Sequence, residues 1–266
     1  MSITTFTEQI EALDPWEAKM LNKADNQHHR RLAQALLTKE KIYIVSNGGQ
    51  LNSYGSFGWI IEGNQEYARG NGEAEGAREI MQLFRAEAYG MLAAIRFLKQ
   101  TCVWNDTWPT TNKTITVYSD NMSLIQRISW HHKRIVVTPK NVSAADYDTE
   151  KAITSTIDYL ETKNIFIQVQ HVKGHQDKKR KKQDLPKEAQ MNIEADIEAT
   201  IALETRSQKH EYNPLPETRA MLYKQGQPVT SREAKTLRRA YLSQDLLQHM
   251  KQREKWKRES TAEKIC

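Results

Sequence analysis

The chain has 266 residues, 38% hydrophobic and 27% charged, which suffices for one sizeable core plus an appended element, or for two small domains. No apolar run reaches bilayer length, Met1 to Ile10 lacks the basic start and apolar stretch of a secretory signal, and two distant cysteines, Cys102 and Cys266, argue against a disulfide scaffold or zinc site. The reading is an intracellular protein, cytoplasmic or nuclear, whose net charge of +6 suits a polyanionic partner and no membrane.

Residues 1–40 are polar and helix-prone. Asp14-Pro15-Trp16 predicts a helix start with proline in the first turn, and Leu21, Leu32 and Leu36 are placed to pack onto a domain. Lys41 to Ser46 is a β-branched run that predicts a strand, ending in a turn at Asn47-Gly48-Gly49. Gly55 to Ile61 and Gln65 to Gly72 predict two more strands of an antiparallel meander. Over 83–99 the apolar spacing is helical, with Phe84, Ala88, Met91, Leu92 and Ile95 on one face.

Thr114 to Ser119 predicts a strand ending at Asp120, and a helix is expected from Met122. A further helix is expected over 144–163, an alternating strand over 165–172, a basic loop over 173–187 and a helix from about Lys187 to Thr205. Three strands, helix, strand, two helices, strand, helix implies a mixed sheet with helices on both faces. Residues 206–218, with Pro214 and Pro216, read as a linker. Residues 219–266 read as a basic helical extension, with twelve Lys/Arg against five Asp/Glu and a capping box at Thr230 and Glu233. The chain stops at Ile265-Cys266 just after this basic stretch, which suggests a segment of a longer polypeptide.

Four positions stand out chemically: Asn47 at the end of the first strand, Glu87 in the first long helix, Asp120 at the end of the fourth strand and Asp196 in the last helix of the core. Strand ends of such sheets are where ligands are met. Each position also has a plain structural alternative: Glu87 as a solvent-facing helical residue, Asp120 as a helix N-cap, Asp196 as one more charge beside Glu194, Glu198 and Glu204.

Taken together, these residues resemble the ribonuclease H family, particularly the domains of retroelement polyproteins. The matching pieces are Ser46-Asn47-Gly48-Gly49, Arg85-Ala86-Glu87 followed by Met91 to Ile95, Tyr118-Ser119-Asp120, the stretch His171 to His175 with Gln176-Asp177, and Asn192 to Asp196. The resemblance covers residues 41–205. It implies a ribonuclease H-like fold with a five-stranded mixed sheet: three antiparallel strands, then parallel ones, flanked by helices and by helical N- and C-terminal extensions.

It also implies endonucleolytic hydrolysis of the RNA strand of RNA–DNA hybrids by two Mg²⁺ ions, for which Mn²⁺ could substitute. Mg²⁺ takes oxygen ligands, and paired ions activate water and stabilise the leaving oxygen. By the resemblance, Asp120 would bridge both ions with Glu87 and Asp196 at the sides, and Glu87 would also sense the 2′-OH. His175 would assist proton transfer or product release, Gly48 and Gly49 would line the substrate path, and Asn192 would touch the substrate backbone.

The pattern calls for aspartate where this chain has Asn47. An amide is neutral and carries a donor edge, so metal binding and cleavage should be impaired. Deliberate substitution, a decayed copy, and loss of catalysis with binding retained all account for it. The first is favoured because the other three acids are intact.

The basic run Lys178-Lys179-Arg180-Lys181-Lys182, with Lys173 and Lys187 nearby, is expected to contact phosphates; a solvated charge run is the alternative. Trp130 to Arg134 could grip the DNA strand or simply end an amphipathic helix. The partners implied are an RNA–DNA hybrid and the other modules of a polyprotein, such as a reverse transcriptase. A non-catalytic nucleic-acid-binding domain of the same fold is the main competing reading. Proofreading exonucleases are disfavoured because Ser46 to Gly49 contains no acid, and integrases because they lack the Gly-His loop with Asn192 and Asp196.

Overall fold

The computed structural model describes residues 5–52, 54–76, 81–132, 145–176, 180–205, 213–216, 222–224, 227–229, 238–239 and 241–243. Three short helices open the chain: α1 (Phe6–Glu11), α2 (Pro15–Leu21) and α3 (His29–Leu36). Thr5 and Glu8 cap α1 reciprocally, each side chain meeting the other's backbone N–H at 3.2 and 3.0 Å. Pro15 stands at the start of α2 as its sequence predicts. Leu21, Leu32 and Leu36 are fully buried in the main core cluster. Each such burial is worth roughly 1.5–3 kcal/mol, which seats the three helices on the domain.

The sheet follows: β1 (Ile42–Leu51), β2 (Tyr54–Glu62), β3 (Glu66–Ala74), β4 (Lys113–Ser119) and β5 (Ile165–His171), in spatial order β3-β2-β1-β4-β5. β1–β2 and β2–β3 pair antiparallel, while β1–β4 and β4–β5 pair parallel. This is the mixed five-stranded arrangement expected. Between the strands run α4 (Leu83–Asn105), α5 (Met122–His132) and α6 (Tyr147–Glu161), and α7 (Lys187–Glu204) closes the unit. Among the described residues no helix is long and apolar enough to cross a membrane.

The two faces of the sheet are read off β1. Ile42 and Ile44 join the main core under α4, whereas Val45 packs with Ile60, Met191 and Ala195 under α7. α4 is buried nearly all round, from Arg85 through Ile95, because α2, α3 and α6 cover the side turned away from the sheet. A single apolar stripe over 83–99 therefore understates it.

Two stretches differ from their sequence readings. β1 does not turn at Asn47-Gly48-Gly49 but continues to Leu51, so Asn47 lies mid-strand opposite Gly58. The glycine at 48 serves close approach instead of a turn: a β-carbon there would come 2.5 Å from the backbone nitrogen of Glu87. In the C-terminal stretch expected to be helical, Leu222–Lys224 and Gln227–Val229 form a two-stranded antiparallel pair, β6 and β7, and residues 238–239 and 241–243 are helical. Thr230 and Glu233 lie outside the described residues. Leu215, in the stretch read as a linker, is 2% exposed and belongs to the main core.

Candidate active site

Parallel pairing between β1 and β4 stops at Val45 and Tyr118. Two residues further along each strand come Asn47 and Asp120, at the edge where β4 has ended and β1 continues. α4 crosses this edge through the gap at Gly48, bringing Glu87 beside both. The Gly48 N–H donates to Asn47 Oδ1 at 2.8 Å. Ser119 Oγ reaches Glu87 Oε2 at 3.4 Å and accepts from the Asn121 N–H at 3.1 Å.

The Glu87 carboxyl lies beside that of Asp120. Burial first, and then the Asp120 carboxylate, hold the Glu87 carboxyl well above the ordinary glutamate range; Gly48 N–H and Ser119 Oγ act in the opposite direction. Glu87 is therefore not the solvent-facing helical residue of the plain reading, and it is Asn121, not Asp120, whose side chain caps α5, accepting from the Leu124 N–H at 3.1 Å.

From the α7 side, Asn192 is buried and its Nδ2 approaches Asp120 Oδ2 at 3.5 Å. Asp196 lies one turn further on, half-buried, where α7 passes its Ala195 and Ala199 backbone over Gly58, the partner of Asn47. Gly174 abuts the Asp120 carboxylate, and His175 beside it is exposed with a left-handed backbone, φ 50°. Gly49 faces Leu203 and Ala199 of α7.

The structure thus gathers Asn47, Gly48, Glu87, Asp120 and Asn192, with Gly174 against them. Ser119 and Gly58 belong to this constellation without having been singled out by sequence. A small residue at a strand end or opposite a candidate ligand is the only signal they carry. His171, which reads as structural from its strand position, ends β5 exposed.

The described residues of the basic run 178–182 are exposed, and two of the lysines in or near it also meet carboxylates. Lys173, Arg180, Lys181 and Lys182 are exposed. Lys182 Nζ, however, pairs with Glu194 Oε1 at 2.5 Å, and Lys187 is tied to Glu62 at 3.1 Å and to the Gly63 carbonyl. Lys178 and Lys179 lie outside the described residues, as do the side chains of His131 to Arg134; Trp130 is exposed at the end of α5.

The donor set does not fit two divalent cations. Asn47 contributes no charge and its carbonyl oxygen already accepts from the Gly48 N–H, and no group of three or more His, Cys, Asp or Glu that could hold a metal occurs among the described residues.

The sheet order and the directions of its pairings are those the resemblance implied. Among solved structures, the ribonuclease H1 of the halophilic archaeon Halobacterium salinarum NRC-1 is similar over 62% of this chain and 99% of its own, at 14% identity and a TM-score of 0.40. LC11-RNase H1, solved in complex with an RNA/DNA hybrid, is similar over 62% of this chain and 97% of its own, at 15% identity and a TM-score of 0.41. The protease–reverse transcriptase of prototype foamy virus is similar over 64% of this chain and 22% of its own, at 13% identity and a TM-score of 0.39. No protein-family model matches the chain, and a search of curated proteins found no match.

Proposed function

We propose that this chain engages RNA–DNA hybrids through a ribonuclease H-type site whose hydrolytic step is impaired at Asn47. The observation that carries the reading is the convergence of Asn47, Glu87 and Asp120 at one sheet edge, with the Gly174 turn closing on Asp120. An aspartate at position 47 would keep the bond to Gly48 N–H through one carboxylate oxygen and present the other to the cleft. It would thereby supply the missing anionic ligand for divalent ions. The motif order also supports a place within a larger retroelement polyprotein.

The test is cleavage of an end-labelled RNA–DNA hybrid by the chain and its Asn47→Asp variant in Mg²⁺ or Mn²⁺, with RNA and DNA duplexes as controls. Hybrid-only cleavage by the variant is expected, against little or none by the chain itself. An inert variant that still binds hybrid would favour the second reading, a non-catalytic binding module, which the neutral amide at position 47 also supports. Because Asn-Gly pairs deamidate, mass spectrometry of each preparation excludes regenerated aspartate.

A further inference from the structure

The carboxamide of Asn47 is held in a defined orientation. A backbone N–H can only donate, so the atom that meets Gly48 N at 2.8 Å is the carbonyl oxygen. The amide nitrogen, Nδ2, is therefore turned the other way. Asn47 is only 4% exposed, yet Nδ2 makes no hydrogen bond among the described residues and is not sealed from solvent. It is a buried side chain whose amide nitrogen has no hydrogen-bond partner among the described residues, next to Gly48, against which the Glu87 backbone packs.

This orientation decides what position 47 can accept. A cation approaching from the cleft meets the positive ends of two N–H bonds. Turning the amide over to offer its oxygen would set its NH₂ against the Gly48 N–H, breaking that hydrogen bond and opposing two donors. A non-bridging phosphate oxygen, by contrast, accepts from Nδ2 directly. An aspartate would present an anion there and would need a cation between itself and the phosphate.

We infer that Asn47 is a donor to a backbone phosphate, not a cation ligand, and that it lets the chain hold an RNA–DNA hybrid without divalent ions. This rests on the hybrid-binding reading above.

The experiment is fluorescence anisotropy of a labelled hybrid with the full chain, in EDTA and in Ca²⁺ at constant ionic strength. Calcium, a hard oxygen-seeking ion, serves as the divalent probe in place of the ions used for cleavage. The Kd of the chain itself should change by less than about threefold between the two conditions, while Asn47→Asp should bind about tenfold more weakly in EDTA and recover in Ca²⁺. Asn47→Ala should lose about fivefold in both conditions, the effect of one missing donor. The inference is overturned if the chain's own affinity depends on Ca²⁺ as steeply as that of Asn47→Asp, a comparison whose first half needs no variant to fold. It is equally overturned if Asn47→Ala binds as tightly as the chain. Absence of hybrid binding by every form in both conditions would overturn the hybrid-binding reading itself, and this inference with it.

Discussion

Gly174 and Asp120 are in contact: a β-carbon on Gly174 would run into the Asp120 carboxylate. The loop carrying His175 therefore rests on a proposed ligand through a position that has room only for hydrogen. Gly174→Ala should push the Asp120 carboxylate or the loop aside. Displacements near 1 Å at a reacting centre cost up to about a hundredfold in rate. In the Asn47→Asp background, hybrid cleavage should fall by about tenfold to a hundredfold while the thermal unfolding midpoint stays within a few degrees. Unchanged cleavage would show that the loop can yield without disturbing Asp120.

Lys113, at the start of β4, fastens the N-terminal helices to the sheet. Its ammonium donates to the carbonyls of Ala35, Thr38 and Glu40 at 3.1, 2.8 and 2.6 Å, closing the C-terminal end of α3, where helix carbonyls lack partners. Lys113→Met keeps the apolar stem and removes the donors. The expected cost is about 2 kcal/mol or more in urea unfolding, since hydrogen bonds to a charged group are worth about 1.5–3 kcal/mol each. Limited proteolysis should then cut first between α3 and β1. Equal resistance of the two proteins would locate the anchorage in the buried leucines instead.

Much of the architecture was legible because periodicity is a local property. The alternation in 165–171 and the helical spacing over 83–99 each specify their element without reference to neighbours. The continuation of β1 past Asn47 was not, because a glycine pair reads as a turn unless α4 is known to need the space at Gly48. The same limit hides Ser119 and Gly58, whose roles exist only through what packs on them. The pairing of Lys182 with Glu194 and of Lys187 with Glu62 was hidden for a related reason, since a charge run does not name its partners.

Arg85, two residues before Glu87, is fully buried and sets the N-terminal end of α4. Its guanidinium bonds Asp146 Oδ1 at 3.1 Å and both oxygens of Asp148 at 2.9 and 2.8 Å, while Nε donates to the Glu75 carbonyl. Asp148→Asn removes one charge and leaves the guanidinium with a single carboxylate. Breaking a buried pair from one side costs about 3–5 kcal/mol, or a drop of about 10 °C in Tm for a chain of this size. Arg85→Met combined with Asp148→Leu and Asp146→Asn should recover part of that loss, because no charge of the buried trio is then left without its partner. Failure of the triple variant to improve on Asp148→Asn would mean that the guanidinium is needed for its contact with Glu75 as well.

Glu150, two residues beyond Asp148 on α6, carries the opposite shift. Burial first raises its pKa from the ordinary 4.5 to about 7, the Asp146 and Asp148 carboxylates add to this, and the pairing with Arg127 opposes it without prevailing. A folded-state value above the unfolded one means that the proton is held more tightly in the fold. The stability it contributes is complete below about pH 4.5 and is lost as pH rises through about 7. At about 1.4 kcal/mol per pH unit the loss amounts to about 3 kcal/mol at most. Asp148, whose pKa is lowered by Arg85, contributes stability that is present above the ordinary aspartate value and is lost only as pH falls through its lower folded value, so the two do not overlap. Glu150→Gln, neutral throughout, should remove the decline: urea unfolding at pH 4.5, 6, 7 and 8 should show the variant gaining on the chain by about 2–3 kcal/mol across the series. A constant difference between the two proteins would place the titration of Glu150 outside this window.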